Sequence, residues 1–201
     1  DLAGSPTAER GRWGRGPGAR LLQALRAELG GLPLIAEDLG VITPAVEKLR
    51  DRFGLPGMKV LQFAFDGNNR NSFLPHTYNE PNYIVYTGTH DNNTTNGWFY
   101  GGEIDDATRN YVMDYIGTNT FSDFHWNMIR LAMQSVAHLA IIPVQDVLGY
   151  GGELRMNLPG TVDGHNWAWK LREHALNETH MQRLRHCASL YNRIPKGPKL
   201  R

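Results

Sequence analysis

Four short apolar runs constrain this chain more than any other feature. They are Leu34-Ile35-Ala36, KVLQFAF at 59–65, YIVY at 83–86 and LAIIPV at 139–144. Each is shorter than a stable helix, and Pro33 blocks a helix from running into the first. They read as strands buried on both faces, as in a parallel sheet. Three of them end in polar groups: Glu37-Asp38, His90-Asp91 and Gln145-Asp146. Helical spacing fills the gaps. Leu21, Leu22, Leu25 and Leu29 share a face before Gly30, and Thr43-Pro44 is an N-cap and first-turn pair leading into Val46, Leu49 and Phe53. Further helices are expected over 107–116 and over 123–138, where Phe124, Met128, Leu131, Ala132 and Val136 form one stripe.

Strands alternating with helices imply parallel βαβ units. A (β/α)8 TIM barrel takes about 250 residues. The 201 residues with about four strands therefore read as its C-terminal half, about strands 5 to 8. Residues 1–16 are rich in Gly, Pro and Arg and are expected to be loop, and 175–201 to be a terminal helix or tail. An open doubly wound sheet is the runner-up, disfavoured because no strand-to-helix turn carries a Gly-rich phosphate fingerprint.

Composition narrows the partners. A net charge of +1 gives no reason to expect nucleic acid or an anionic membrane surface. No apolar run reaches membrane-spanning length. Cys187 is the only cysteine, so no internal disulfide is possible and a reducing, cytoplasmic location is expected. The chain opens Asp1-Leu2-Ala3 without Met, which is expected of a fragment or a processed product.

In a barrel, the C-terminal strand ends converge on one pocket. Three readings of the acids there compete. The first is glycoside chemistry, which needs two carboxylates flanking a glycosidic oxygen. Neutral hydrogen-bonding groups and aromatic platforms should surround them, and Asn92, Asn93, Asn96, Trp98, Phe99, Tyr100, Asn157, Trp167 and Trp169 are available. The second is a metal site from Glu37, His90, Asp91 and Asp146. It ranks well below, because no closed ligand spacing occurs and adjacent residues rarely both reach one ion. The third is structural: Glu37 and Asp38 cap the next helix, His90-Asp91-Asn92-Asn93 is a tight turn, and the two tryptophans are packing. For the tryptophans, packing and sugar platform weigh evenly. His76 and His138 read as structural.

The strings IAEDLG (35–40), GLPGMKVLQFAF (54–65), YTGTHDNNTT (86–95) and IIPVQDVLGYGGELRMNLPGT (141–161) resemble the 4-α-glucanotransferases of glycoside hydrolase family 77, the amylomaltases or disproportionating enzymes. The resemblance runs from about residue 12 to 172. It implies a TIM barrel that transfers α-1,4-glucan segments with retention, through a covalent glucosyl-enzyme intermediate; the alternatives are a starch-type α-glucan hydrolase or a non-catalytic glucan-binding fragment. It implies that Glu37 is the general acid/base and Asp91 the transition-state stabiliser, with His90, Phe63 and Asn157 binding sugar. The implied partner is a malto-oligosaccharide or starch glucan, with no cofactor and no metal. Two departures stand out. The family's nucleophilic aspartate lies in an Arg-x-Asp-His-Phe-Arg setting, and no such string occurs in these residues. The family's Gly-Asn-Trp segment here reads Gly164-His165-Asn166-Trp167, with one residue inserted. A half barrel would expose two sheet edges, so pairing with a missing N-terminal half or with a second copy is expected.

Overall fold

The computed structural model describes residue 11 and residues 14–194, in two compact units divided between Leu55 and Pro56. Residues 1–10, most of the expected N-terminal loop, lie outside the described residues, as do 195–201 of the expected tail.

The first unit holds two helices. Helix α1 (Ala19–Leu29) ends at Gly30, whose φ of 68° is a left-handed cap that glycine adopts without strain. Helix α2 (Pro44–Arg52) starts at the expected Thr43-Pro44, although the Thr43 side chain makes no capping bond. Neither helix buries a residue, so the expected stripes through Leu21, Leu29 and Val46 are exposed. What the unit buries is Phe53 and Leu55, just after α2. Arg26 reaches across to them, its guanidinium 5.1 Å over the Phe53 ring and donating to the Phe53 carbonyl at 3.0 Å.

The expected strand at Leu34 is not formed. Residues 32–39 carry no strand, and Leu34 and Ile35 are 37% and 46% exposed. A strand exists through its partner's ladder, and an extended apolar run without one stays irregular. Among the described residues the count of about four strands is therefore corrected to three.

Those three lie in the second unit as a parallel sheet in the order β1 (Gly57–Val60), β2 (Tyr83–Tyr86), β3 (Leu139–Ile141). Gly57 pairs with Tyr83 and Ile84 with Leu139. The β1 strand stops at Val60 because the chain turns into a 3-10 segment, Leu61–Phe63, rather than running on to residue 65. Lys59 is accommodated in this strand by rings: its ammonium lies 4.4 Å from the Tyr83 ring centre, and 5.6 and 5.5 Å from those of Phe73 and Tyr78 in the following loop.

Between β2 and β3 run α3 (Thr95–Tyr100), α4 (Asp106–Ile116) and α5 (Phe124–Gln134); α6 (Val144–Val147) and α7 (Glu178–Leu190) follow β3. The core lies between sheet and helices, with Leu61, Leu74, Val85, Phe99, Phe124 and Met128 at its centre. Phe99 and Phe124 stack with ring centres 3.7 Å apart. Helix α5 stops four residues short of the expected end, leaving Val136 exposed. The Ser135 hydroxyl donates to the Ala132 carbonyl, and Arg193 donates to the Met133, Ser135 and Ala137 carbonyls, so the terminal acceptors are satisfied by side chains. The molecule is an α/β fold, and all three strands point their C-terminal ends the same way.

Candidate active site

The segments leaving those strand ends carry the candidate residues of the second unit. After β2 the chain passes Thr87 and makes a compact turn. The Asn92 carboxamide oxygen accepts from both the Thr89 amide and the Thr89 hydroxyl at 2.9 Å, and the Asp91 amide donates to the Thr89 hydroxyl at 3.2 Å. The turn presents His90 and Asp91 outward, with side chains 58% and 50% exposed. The structural reading of this segment is thus correct for its backbone, while its two ionisable side chains are left facing out.

Three neighbours gather on Asp91. The His90 imidazole Nε2 lies 3.4 Å from one Asp91 carboxylate oxygen. The Asn157 amide donates to that same oxygen at 2.7 Å. Arg155 donates at 2.6 Å to the Asp91 carbonyl and at 2.8 Å to the Asn157 carbonyl, and its other nitrogen reaches Glu103 at 3.3 Å. Glu103 also accepts from Asn93 at 2.6 Å. Arg155 therefore joins the two loops through backbone groups and leaves the Asp91 carboxylate open to the outside.

Trp167 completes the cluster. Its ring packs 5.0 Å from the His90 ring, tilted by 42°, and it is 61% exposed. Its φ of 62° lies in the left-handed region, which is uncommon for a bulky residue. The strain is held by its amide, which donates to the Met156 carbonyl, and by Asn166, whose side chain bonds Leu158 and Thr161. The Gly164–Trp167 segment thus ends on an indole seated beside the His90 ring.

The other candidates have partners of their own. Phe63 follows β1 and is 44% exposed, edge-on to Phe73 at 5.7 Å, with its carbonyl accepting from Asn71. Its partners belong to the 66–82 loop. Glu37 lies in the first unit, exposed, with one oxygen accepting from the Leu39 amide at 3.2 Å. Asp38 points elsewhere, to Arg50 at 2.5 Å. Neither acid caps α2, so that alternative is overturned: Arg50, in the last turn of α2, bonds Asp38 instead.

Asp146 is corrected as well. It follows β3 but is only 1% exposed, inside α6 rather than at an open strand end. Its two oxygens accept from the Thr87 hydroxyl at 2.5 Å and the Thr95 amide at 2.7 Å. Burial pushes its carboxyl above the ordinary carboxylate range, and those hydrogen bonds oppose the shift. Trp98 and Phe99 are not sugar platforms either; α3 turns both into the core. Among the described residues no group of three or more His, Cys, Asp or Glu side chains is arranged to hold a metal ion.

Comparison with known proteins decides what kind of chain this is. The family model for 4-alpha-glucanotransferase matches residues 3–177. The chain belongs to the 4-α-glucanotransferase family. It is 52% identical over 191 residues to a 4-alpha-glucanotransferase of Synechocystis sp., covering 94% of this chain and 37% of that protein. It is 50% identical to the Thermus thermophilus 4-alpha-glucanotransferase, covering 96% and 39%. Its backbone superposes on the amylomaltase from Streptococcus agalactiae, solved in complex with acarbose, with a TM-score of 0.84 at 35% identity, over 90% of this chain and 36% of that one. The chain thus spans less than two fifths of the length of these relatives.

As a member of this family the chain carries residues at the cluster that the sequence did not single out. Arg155 stands two places before Asn157, and a lone cation in a Gly- and Asn-rich loop was the available signal. Glu103 gave none. Trp167 was legible as one of two undecided tryptophans and as the end of the Gly164–Trp167 segment.

Proposed function

We propose that the protein containing these residues transfers α-1,4-glucan segments between malto-oligosaccharides by a retaining double displacement, and that this chain is the C-terminal half of its barrel. Glu37 gives its proton to the glycosidic oxygen as an aspartate outside these 201 residues attacks C1. The C1–oxygen bond breaks and the shortened glucan leaves. Glu37, now ionised, takes the proton of an acceptor sugar hydroxyl, whose oxygen then displaces the aspartate from C1. Asp91 stays anionic and holds ring hydroxyls more tightly as positive charge develops at C1. His90 and Asn157 orient the same sugar, and Phe63 flanks it. No step requires a metal or a cofactor. The rest of the barrel, or a second copy, covers the sheet edges, and the single cysteine suits the cytoplasm.

The observation that carries this reading is the half-exposed Asp91 carboxylate, fixed by Asn157 and flanked by His90, whose ring packs against Trp167, in a chain of this family. The test is Asp91→Asn in a full-length protein that contains these residues, with maltotriose as donor and acceptor. The expected result is a fall in kcat of roughly 100-fold or more with little change in KM. A rise in KM alone would make Asp91 a ground-state binding residue and sink its assignment as stabiliser.

A further inference from the structure

The loop that presents His90 and Asp91 begins at Thr87 and ends at Thr95, and one side chain bonds both ends. The Asp146 carboxylate accepts from the Thr87 hydroxyl with one oxygen and from the Thr95 amide with the other, at 2.5 and 2.7 Å. All three residues are buried, at 0%, 0% and 1% exposure for Thr87, Thr95 and Asp146. Burying a carboxylate is costly, and a core position beside β3 would ordinarily be apolar. That cost is partly offset here by two hydrogen bonds that converge from the two feet of one loop.

A second clamp grips the loop between its feet. The buried Gln62 amide donates to the Asn93 carbonyl at 2.9 Å. Gly88 passes so close that an added Cβ would lie 2.6 Å from that same amide nitrogen. With both ends and one interior point fixed, the turn through Thr89 and Asn92 has little freedom left, and Asp91 is presented from a rigid support while its own side chain stays half exposed.

We propose that Asp146 is a positioning residue for the glucan transfer: by bonding both feet of the 87–95 loop it sets where the Asp91 carboxylate meets the sugar. It touches no substrate. The inference rests on the assignment of Asp91 given above. Misplacing a reacting group by about 1 Å costs roughly 100-fold in rate. Loosening the loop should therefore lower kcat and spare KM, which ground-state contacts set.

The experiment compares Asp146→Ala, Asp146→Asn and Thr87→Val in the full-length protein. It measures maltotriose redistribution per folded molecule and amide hydrogen exchange. Asp146→Ala should lower kcat roughly 100-fold with KM nearly constant. It should speed exchange across 87–95 while 57–60 and 83–86 keep their protection. Asp146→Asn, whose amide can still accept from Thr95 and donate to Thr87, should keep kcat within about fivefold of the parent, near the worth of one neutral hydrogen bond. Thr87→Val removes one hydroxyl and cuts one foot, and should fall between the two even if Asp146→Ala fails to fold. Parent-like kcat in Thr87→Val and Asp146→Ala would overturn the proposal, as would faster exchange spread over the whole sheet. Asp91→Asn is run alongside. If it retains turnover, the assignment of Asp91 fails, and the exchange data still judge the clamp by themselves.

Discussion

The apolar runs at Leu34-Ile35-Ala36 and at Tyr83–Tyr86 carry nearly the same sequence signal and have opposite fates. Both are short, follow a proline within a few residues, and lead into acidic turns. The second is buried and paired on both sides, to β1 and to β3. The first is unpaired, and two of its apolar residues are exposed. The difference teaches that a hydrophobic run specifies only what a segment can do, and that neighbouring ladders decide whether it does so. The same contrast runs through the two units: helices α1 and α2 bury nothing, whereas α5 buries six of its residues.

Truncation in the two regions should sharpen this contrast most. Phe124→Ala removes a ring 1% exposed and stacked on Phe99, and should cost about 3–5 kcal/mol by urea unfolding of the chain. Ile35→Ala in the first unit should stay within about 0.5 kcal/mol. A comparable loss for Ile35 would mean that the Leu34 run is packed after all.

Arg193 is the next largest. It sits close to the end of the described chain, yet ties down the carbonyl end of α5 with bonds of 2.6–2.9 Å to Met133, Ser135 and Ala137. Arg193→Ala should cost about 1.5–3 kcal/mol, because it leaves part-buried carbonyls without their charged donor. A change of under about 0.5 kcal/mol would show that water replaces the guanidinium freely.

The smallest effect concerns pH. His125 packs against Gly149, where an added Cβ would lie 2.8 Å from its ring, and burial holds its pKa below the ordinary 6.5. Asp123 pulls it upward, while Arg183 and His180 push it further down. The folded state therefore prefers neutral His125. Its contribution is fully present above the unfolded value of 6.5 and is lost as pH falls from there towards the lower folded value. Unfolding free energies should decline as pH falls through and below 6.5, and His125→Gln should flatten that decline. An unchanged slope in the variant would assign the decline to other groups.

Much of the fold was legible, for reasons that particular residues make plain. Gly30 and Thr43-Pro44 marked helix ends because their backbone preferences are local. The 83–86 strand was legible to the residue because β-branched and aromatic residues on a central strand leave no other option. The end of α5 was not, since Arg193 acts from sixty residues away by hydrogen bonds that no periodicity reveals. At the site, His90, Asp91 and Asn157 could be picked out as polar groups in strings that resemble the family's, and the structure brings them together. Asp146 was read as one more open strand-end acid, because sequence gives the strand but not the helical turn that carries its side chain inward. Arg155 and Glu103 were missed because their value lies in bridging two distant loops.

The most direct test of the glucan-transfer reading is the redistribution of maltotriose into glucose and longer maltodextrins, with Glu37→Gln compared against its parent in the full-length protein. The assay is repeated with residues 1–201 alone. The variant should lose transfer by roughly 1,000-fold while still binding glucan, since the amide cannot donate and recover a proton. On this proposal, which puts the opposing nucleophile outside these residues, the 201-residue chain should neither transfer nor hydrolyse. Near-parental turnover by Glu37→Gln, or new maltodextrins made by the isolated chain, would contradict the assignment of the reaction to Glu37 and an aspartate outside these residues.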